Sequence, residues 1–183
     1  MKPGELLESE LFRKSFGPGH RITKQVSALR KRDPELYPAG TKATFIKNKV
    51  TAIQAANLIL ILTTNPNPFN ASEFDQAVNS IKVLKPFLND LAIIFASGGI
   101  AFQGKAVKNV QISLQRPFGQ IVFHDNTSAK YGIADNRPTV ERFAVIGSNT
   151  LQELSHLINN TPRTGSKQER EEFLNHLENE KIN

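Results

Sequence analysis

Cysteine is absent from the 183 residues, which removes disulfides, thiolate zinc sites and a cysteine nucleophile together and favours a reducing compartment. Long apolar runs are missing too. The greasiest stretches, Ala55 to Leu62 and Leu91 to Ala96, fall well short of the ~20 residues a membrane span needs. No apolar h-region follows Met1-Lys2-Pro3-Gly4-Glu5, so no secretory leader is expected and the cytoplasm is the expected compartment. There is no G-x-S-x-G elbow, and His20, His124, His156 and His176 lack the i, i+3 or i+4 spacing of a metal site. No internal repeat or low-complexity tract interrupts the chain.

What is present is a charge asymmetry. Residues 1 to 50 hold eleven Lys and Arg against five acids, whereas the remaining 133 residues hold twelve of each. Lys and Arg serving only solubility would be spread evenly, so a basic segment joined to a neutral one points to a face for a polyanion. The apolar content of 39% and the charged content of 22% are those of a globular chain rather than a disordered one.

Along the chain, Leu6, Leu7, Leu11 and Phe12 recur at helical spacing over 5 to 16, before Gly17-Pro18-Gly19. Thr23 is the expected cap of a short helix to Arg32, with Ile22, Val26 and Leu29 on one face and Lys24, Ser27 and Lys31 on the other, flanked by Arg21, Arg30 and Arg32. Asp33-Pro34 ends it, and a loop from Tyr37 to Val50 carries Lys42, Lys47 and Lys49 with no acid among them. Thr51 to Thr63 is apolar nearly all round and predicts an interior helix that Asn65-Pro66-Asn67-Pro68 ends. Ser72 with Asp75 suggests a capping box opening a fourth helix, which Pro86 either kinks or follows with a new one reaching Gly98-Gly99. The period then changes to two. Val110, Ile112 and Leu114 alternate, Arg116 to Gly119 supplies a turn, and Gln120 to Phe123 pairs back; Tyr131-Gly132 and Arg142 to Ile146 offer further strands. Thr150 with Glu153 caps a helix to about Asn160. After the linker Thr161 to Ser166, a last helix from Lys167 has only Phe173, Leu174 and Leu177 as apolar anchors among five Glu.

Four motifs carry chemistry. Arg13 to Lys49 holds ten cations and two acids, together with the hydroxyls of Thr23, Thr41, Thr44 and Thr51, a set suited to phosphates; the plain alternative is a solvated face that happens to be basic. The gap from Arg32 to Thr51 exceeds the tight turn of a regular helix-turn-helix, so any such unit is an irregular variant. Gly99 to Lys105 fits G-x-x-x-x-G-K, but Ala106 replaces the hydroxyl ligand of magnesium and the following residues alternate like a strand. A helix stop and a bend into the sheet suit these glycines better. His124-Asp125 reads as the end of a strand. Among the aromatics, Phe12 and Phe16 sit at core spacing, leaving Tyr37 and Phe45 free to stack on bases.

Leu36-Tyr37-Pro38-Ala39-Gly40-Thr41-Lys42 followed by the helix over 50 to 62, with Ala55-Ala56-Asn57-Leu58 in it, resembles small proteins carried by bacteriophages, prophages and phage-derived gene transfer systems of alphaproteobacteria. A later hairpin and Arg142-Phe143-Ala144-Val145-Ile146-Gly147 are also similar, and the likeness spans residues 20 to 65 and 110 to 158. The resemblance implies a DNA-associated regulator of mobile-element genes.

The expected fold is α+β. Residues 1–97 form a basic, irregular helix-turn-helix-like part, residues 98–160 a small antiparallel sheet with a covering helix, and residues 161–183 a linker and a C-terminal amphipathic helix. The expected function is non-enzymatic binding of double-stranded DNA in transcriptional control, with helix contacts from Arg21, Lys24, Arg30, Lys31 and Arg32 and phosphate contacts from Lys42, Lys47 and Lys49. No catalytic residue, cofactor or metal is assigned. The neutral C-terminal part would serve self-association or a protein partner. An adaptor that binds an acidic protein surface, and a nucleotide-binding enzyme with a degenerate P-loop, are the alternatives.

Overall fold

The computed structural model describes residues 9–17, 19–33, 35–37, 50–132 and 141–159. The expected loop cations Lys42, Lys47 and Lys49, together with Phe45 and the C-terminal helix, lie outside them. The fold is α+β, and the described residues run through five helices, then an antiparallel sheet, then a further helix.

Helix α1 (Glu10–Phe16) ends at Gly17, whose φ of 92° turns the chain sharply into α2 (Gly19–Arg32). That early start places Thr23 inside α2 rather than at its cap. Helix α3 (Ala52–Thr64) starts one residue later than expected, because Thr51 is its cap: the Thr51 hydroxyl accepts from the Gln54 N–H at 3.3 Å, and the Gln54 side chain accepts from the Thr51 N–H at 3.0 Å. Asn65 closes it in the left-handed conformation (φ 51°, ψ 50°). Helix α4 (Ala71–Val83) starts earlier than Ser72 suggested, because Asn70 in extended conformation is the cap and accepts from the Glu73 N–H at 3.2 Å. Pro86 then opens a new helix, α5 (Lys85–Ala96), where its missing N–H costs nothing.

Gly99, at φ 82°, brings the chain so close to the last helix that a Cβ would lie 2.6 Å from the Leu151 carbonyl. Gln103 (φ 52°) and Gly104 (φ 71°) form the tight turn between β1 (Ala101–Phe102) and β2 (Lys105–Ser113). No helix opens at Lys105, so the G-x-x-x-x-G-K pattern is a hairpin and not a phosphate loop. Strand β3 (Phe118–Phe123) begins two residues before the expected Gln120. Phe118 packs edge-on against Phe143 across the sheet, and the Gly119 backbone lies so close to the Phe87 ring that a Cβ would meet it at 3.0 Å. Strand β4 (Ser128–Gly132) pairs with β3, and β5 (Phe143–Gly147) pairs with β2, every pairing antiparallel. In β2 the register shifts between Val107 and Asn109, a bulge that puts Val107, Val110 and Ile112 on one face despite their uneven spacing. Leu114 falls past the end of β2 and is exposed, not inward as alternation suggested.

The final helix α6 (Ser148–Asn159) starts directly after β5, so Thr150 lies inside it rather than capping it. It covers the sheet together with α3 and α5. The buried apolar residues form one cluster running from Ile22, Val26 and Leu29 of α2 through all of α3 to Val110, Ile121 and Ile146 of the sheet and Leu154 of α6. Buried polar groups are largely paired: Asn57 Nδ2 donates to the Leu36 carbonyl at 3.2 Å, and the Ser155 hydroxyl donates to the Phe95 carbonyl, which also accepts from Nδ2 of the exposed Asn159. No helix among the described residues is long and apolar enough to cross a membrane.

Candidate nucleic-acid interface

Helix α2 is amphipathic because its apolar residues recur every three or four positions, and the structure fixes it on that side. Ile22, Val26 and Leu29 are 0–2% exposed. Gln25, also on this side, donates to the Asn65 side-chain oxygen at 2.8 Å and the Pro66 carbonyl at 3.3 Å, which ties the helix to the loop after α3. Lys24, Ser27 and Lys31 are exposed on the opposite face.

The five helix cations do not stand alike. Arg21 Nε donates to the Asn65 Oδ1 atom at 2.8 Å, the same oxygen that Gln25 uses. Arg32 forms an ion pair with Asp75 of α4 at 2.6 Å, with both side chains roughly half exposed. Lys24 lies 5.5 Å from the centroid of Phe69. Lys31 projects into solvent and has no ion pair with a described residue. Arg30 is turned to the other flank, where it is partly buried with its guanidinium 5.1 Å from the Tyr37 ring. The structure therefore gathers Arg21, Lys24, Lys31 and Arg32 toward one outward surface and assigns Arg30 to a packing role.

Tyr37 is fully buried, contrary to the expectation that it could stack on a base. Burial pushes its phenol up to about 12, opposed only in part by the Arg30 charge. The Thr51 oxygen accepts from the Gln54 N–H in its helix cap, which fixes the side chain of one of the hydroxyls in the expected phosphate-binding set.

Sequence reasoning missed Phe69, which is 80% exposed at the tip of the loop between α3 and α4. Its loop is held by local bonds: the Phe69 N–H donates to Asn67 Oδ1 at 3.0 Å, the Asn67 N–H to Glu73 Oε1 at 2.9 Å, and the Asn70 N–H to the Asn67 carbonyl at 3.1 Å. The only signal was a phenylalanine after Asn-Pro-Asn-Pro, where a loop rather than a core position is expected.

The remaining motifs resolve as structure. Lys105 pairs with Asp125 at 3.0 Å and bonds the Thr127 hydroxyl at 2.9 Å. The Thr127 hydroxyl and N–H, with Lys105, hold the Asp125 carboxyl well below its usual range. His124 is exposed in the turn after β3, and no cluster of three metal-ligating side chains occurs among the described residues. Comparison of the chain with models of protein families, with curated proteins and with solved structures finds no match.

Proposed function

We propose that the protein is a cytoplasmic, non-enzymatic binder of double-stranded DNA, acting as a transcriptional regulator of a phage or other mobile element. The observation that carries the reading is the outer surface of α2: Lys24 and Lys31 point away from a buried apolar face, and Lys24 lies beside Phe69, which is 80% exposed on a loop tied down by its own hydrogen bonds. A helix held rigid by its dry side can enter the major groove without ordering cost, while a fixed exposed aromatic suits contact with bases or sugars. Arg21 would add a flank contact, and Lys42, Lys47 and Lys49 would reach phosphates from the sequence that follows. The tie to mobile elements rests on the resemblance carried by residues 36 to 62 and 142 to 147.

The reading makes a quantitative demand. With ~6 cations at phosphates, log K against log salt should fall with a slope near −5. Replacing Lys24 and Lys31 by Ala should weaken binding to all sequences and flatten that slope by about two. Phe69→Ala should weaken binding while leaving the slope unchanged. A flat salt response, or full affinity in the double variant, would overturn the reading.

One observation favours a second reading, the adaptor that binds an acidic protein. Arg21 and Arg32 already bond Asn65 and Asp75 and offer less to a phosphate chain than their charge implies. Selection of bound fragments from random DNA at physiological salt separates the two, because the adaptor would enrich no site and bind DNA no better than heparin.

A further inference from the structure

Besides the two-residue β1, two described strands have a neighbour on one side only, β4 and β5, and they are guarded differently. Strand β4 reads Ser-Ala-Lys-Tyr-Gly, with the Lys130 charge at its middle. Strand β5 reads Phe-Ala-Val-Ile-Gly, with no charge and no proline, and its register against β2 runs without a bulge. Charge, proline and bulges are the devices that stop an open strand edge from recruiting another chain, and β5 has none of them.

The ladder itself says which backbone groups are open. The Leu114 N–H donates to the Arg142 carbonyl at 3.0 Å, and Ser113 lies opposite Phe143 with Gln111 opposite Val145. Because bonded and non-bonded pairs alternate in an antiparallel ladder, Arg142, Ala144 and Ile146 turn their backbone groups to β2, while Phe143 and Val145 turn theirs away from it. Among the described residues no backbone bond from outside the sheet reaches those outward groups.

A cleft of about 730 Å³ runs beside this edge, lined by the apolar Leu62, Leu114, Ala144 and Ile146 and by polar groups that include Arg21 and Asn65. Val145 on the edge is 59% exposed and Leu114 is 43% exposed. Backbone donors and acceptors, a cleft of mixed apolar and polar lining and a cation thus lie side by side, and Arg142 adds an exposed cation before the strand.

We propose that β5 is a docking strand to which an extended segment of a partner protein adds, placing alternate apolar side chains in the cleft and an Asp or Glu against Arg21. Main-chain bonds to Phe143 and Val145 supply the affinity, and the cleft and the guanidinium select the sequence. This proposal shares Arg21 with the DNA reading but does not rest on it, since the DNA reading makes no use of β5.

Selection of short random peptides on the full-length chain tests it. Enriched peptides should alternate apolar residues next to an Asp or Glu. Val145→Pro, which deletes an outward N–H, should weaken them about tenfold, the loss expected for one or two backbone hydrogen bonds. Val145→Lys keeps the N–H but charges the edge and should act likewise, and methylating the backbone nitrogens of the peptide should give the same loss should the proline variant fail to fold. DNA affinity should be unchanged in Val145→Lys, which separates failure of this proposal from failure of the DNA reading. Peptides lacking the alternation, or binding all these variants equally, would overturn it. A dimer of the chain that Val145→Lys splits would also overturn it, since a second copy would then occupy the edge.

Discussion

Tyr37 is the residue whose role changed most between sequence and structure. Placed beside Pro38 and a run of lysines, it reads as an exposed ring, yet its side chain closes the core under Arg30, and among the described residues its hydroxyl has no hydrogen-bond partner. The chain has two tyrosines, and both phenols are shifted upward, Tyr37 to about 12 by burial and Tyr131 by burial and by its 2.6 Å bond to the Asp90 carboxylate. A phenol whose folded value exceeds its unfolded value of about 10 stabilises the fold fully below that pH and loses its contribution as pH rises toward the folded value. Tyrosinate absorbance should therefore appear only above the ordinary range and together with unfolding. Tyr37→Phe should move the alkaline midpoint upward while changing stability at neutral pH by no more than about 1 kcal/mol, because no bond is lost. A normal titration of both phenols, read by ultraviolet absorbance, would contradict this.

Among the elements, those with strong periodicity were legible. Helix α3 announced its interior position by being apolar on every side, and α2 its two faces by a repeat of three to four. Helix starts were less legible. Thr23, Ser72 and Thr150 each have the chemistry of a cap, but a cap also needs a non-helical backbone, and Gly17, Asn70 and Gly147 end the preceding segments first. Where both conditions coincide, at Thr51, the cap is real, and Thr51→Ala should cost about 1 kcal/mol in chemical denaturation. Helix α6 contributes through packing instead. Leu151 is fully buried, and Leu151→Ala should cost roughly 2–5 kcal/mol, lowering Tm by ten degrees or so at the ~2–4 degrees per kcal/mol usual for this size. A much smaller drop would mean that the closing helix is not part of the cooperative core.

The sheet's layout escaped the sequence for a reason that belongs to the whole molecule: β5 pairs with β2, not with the strand before it, so which strand is left open depends on contacts far apart in the chain. The candidate interface divides along the same line. Lys24 and Lys31 could be placed from helical spacing alone, whereas the ties of Arg21 to Asn65 and Arg32 to Asp75 span more than forty residues, and the exposure of Phe69 depends on the turn that Asn67 builds. If those ties hold the basic surface in shape, Asp75→Ala should free Arg32 and steepen the salt dependence of DNA binding by up to about one, with little change in stability because the pair is exposed. An unchanged slope, measured across a salt titration, would show that Arg32 faces no phosphate.

Arg21 belongs to two surfaces at once: it flanks the outward cations of α2 and stands at the margin of the cleft beside β5, held between them by one side-chain oxygen of Asn65. A single guanidinium cannot serve a phosphate and a carboxylate fully at the same time. If both proposals hold, ligands on the two surfaces are linked through a shared group, and linkage is reciprocal: whatever factor a peptide at β5 takes from DNA affinity, DNA takes from the affinity of the peptide. Asn65, which lines the cleft and holds that guanidinium, would then set the size of the antagonism, and the arrival of a peptide would lower DNA affinity without any change of fold.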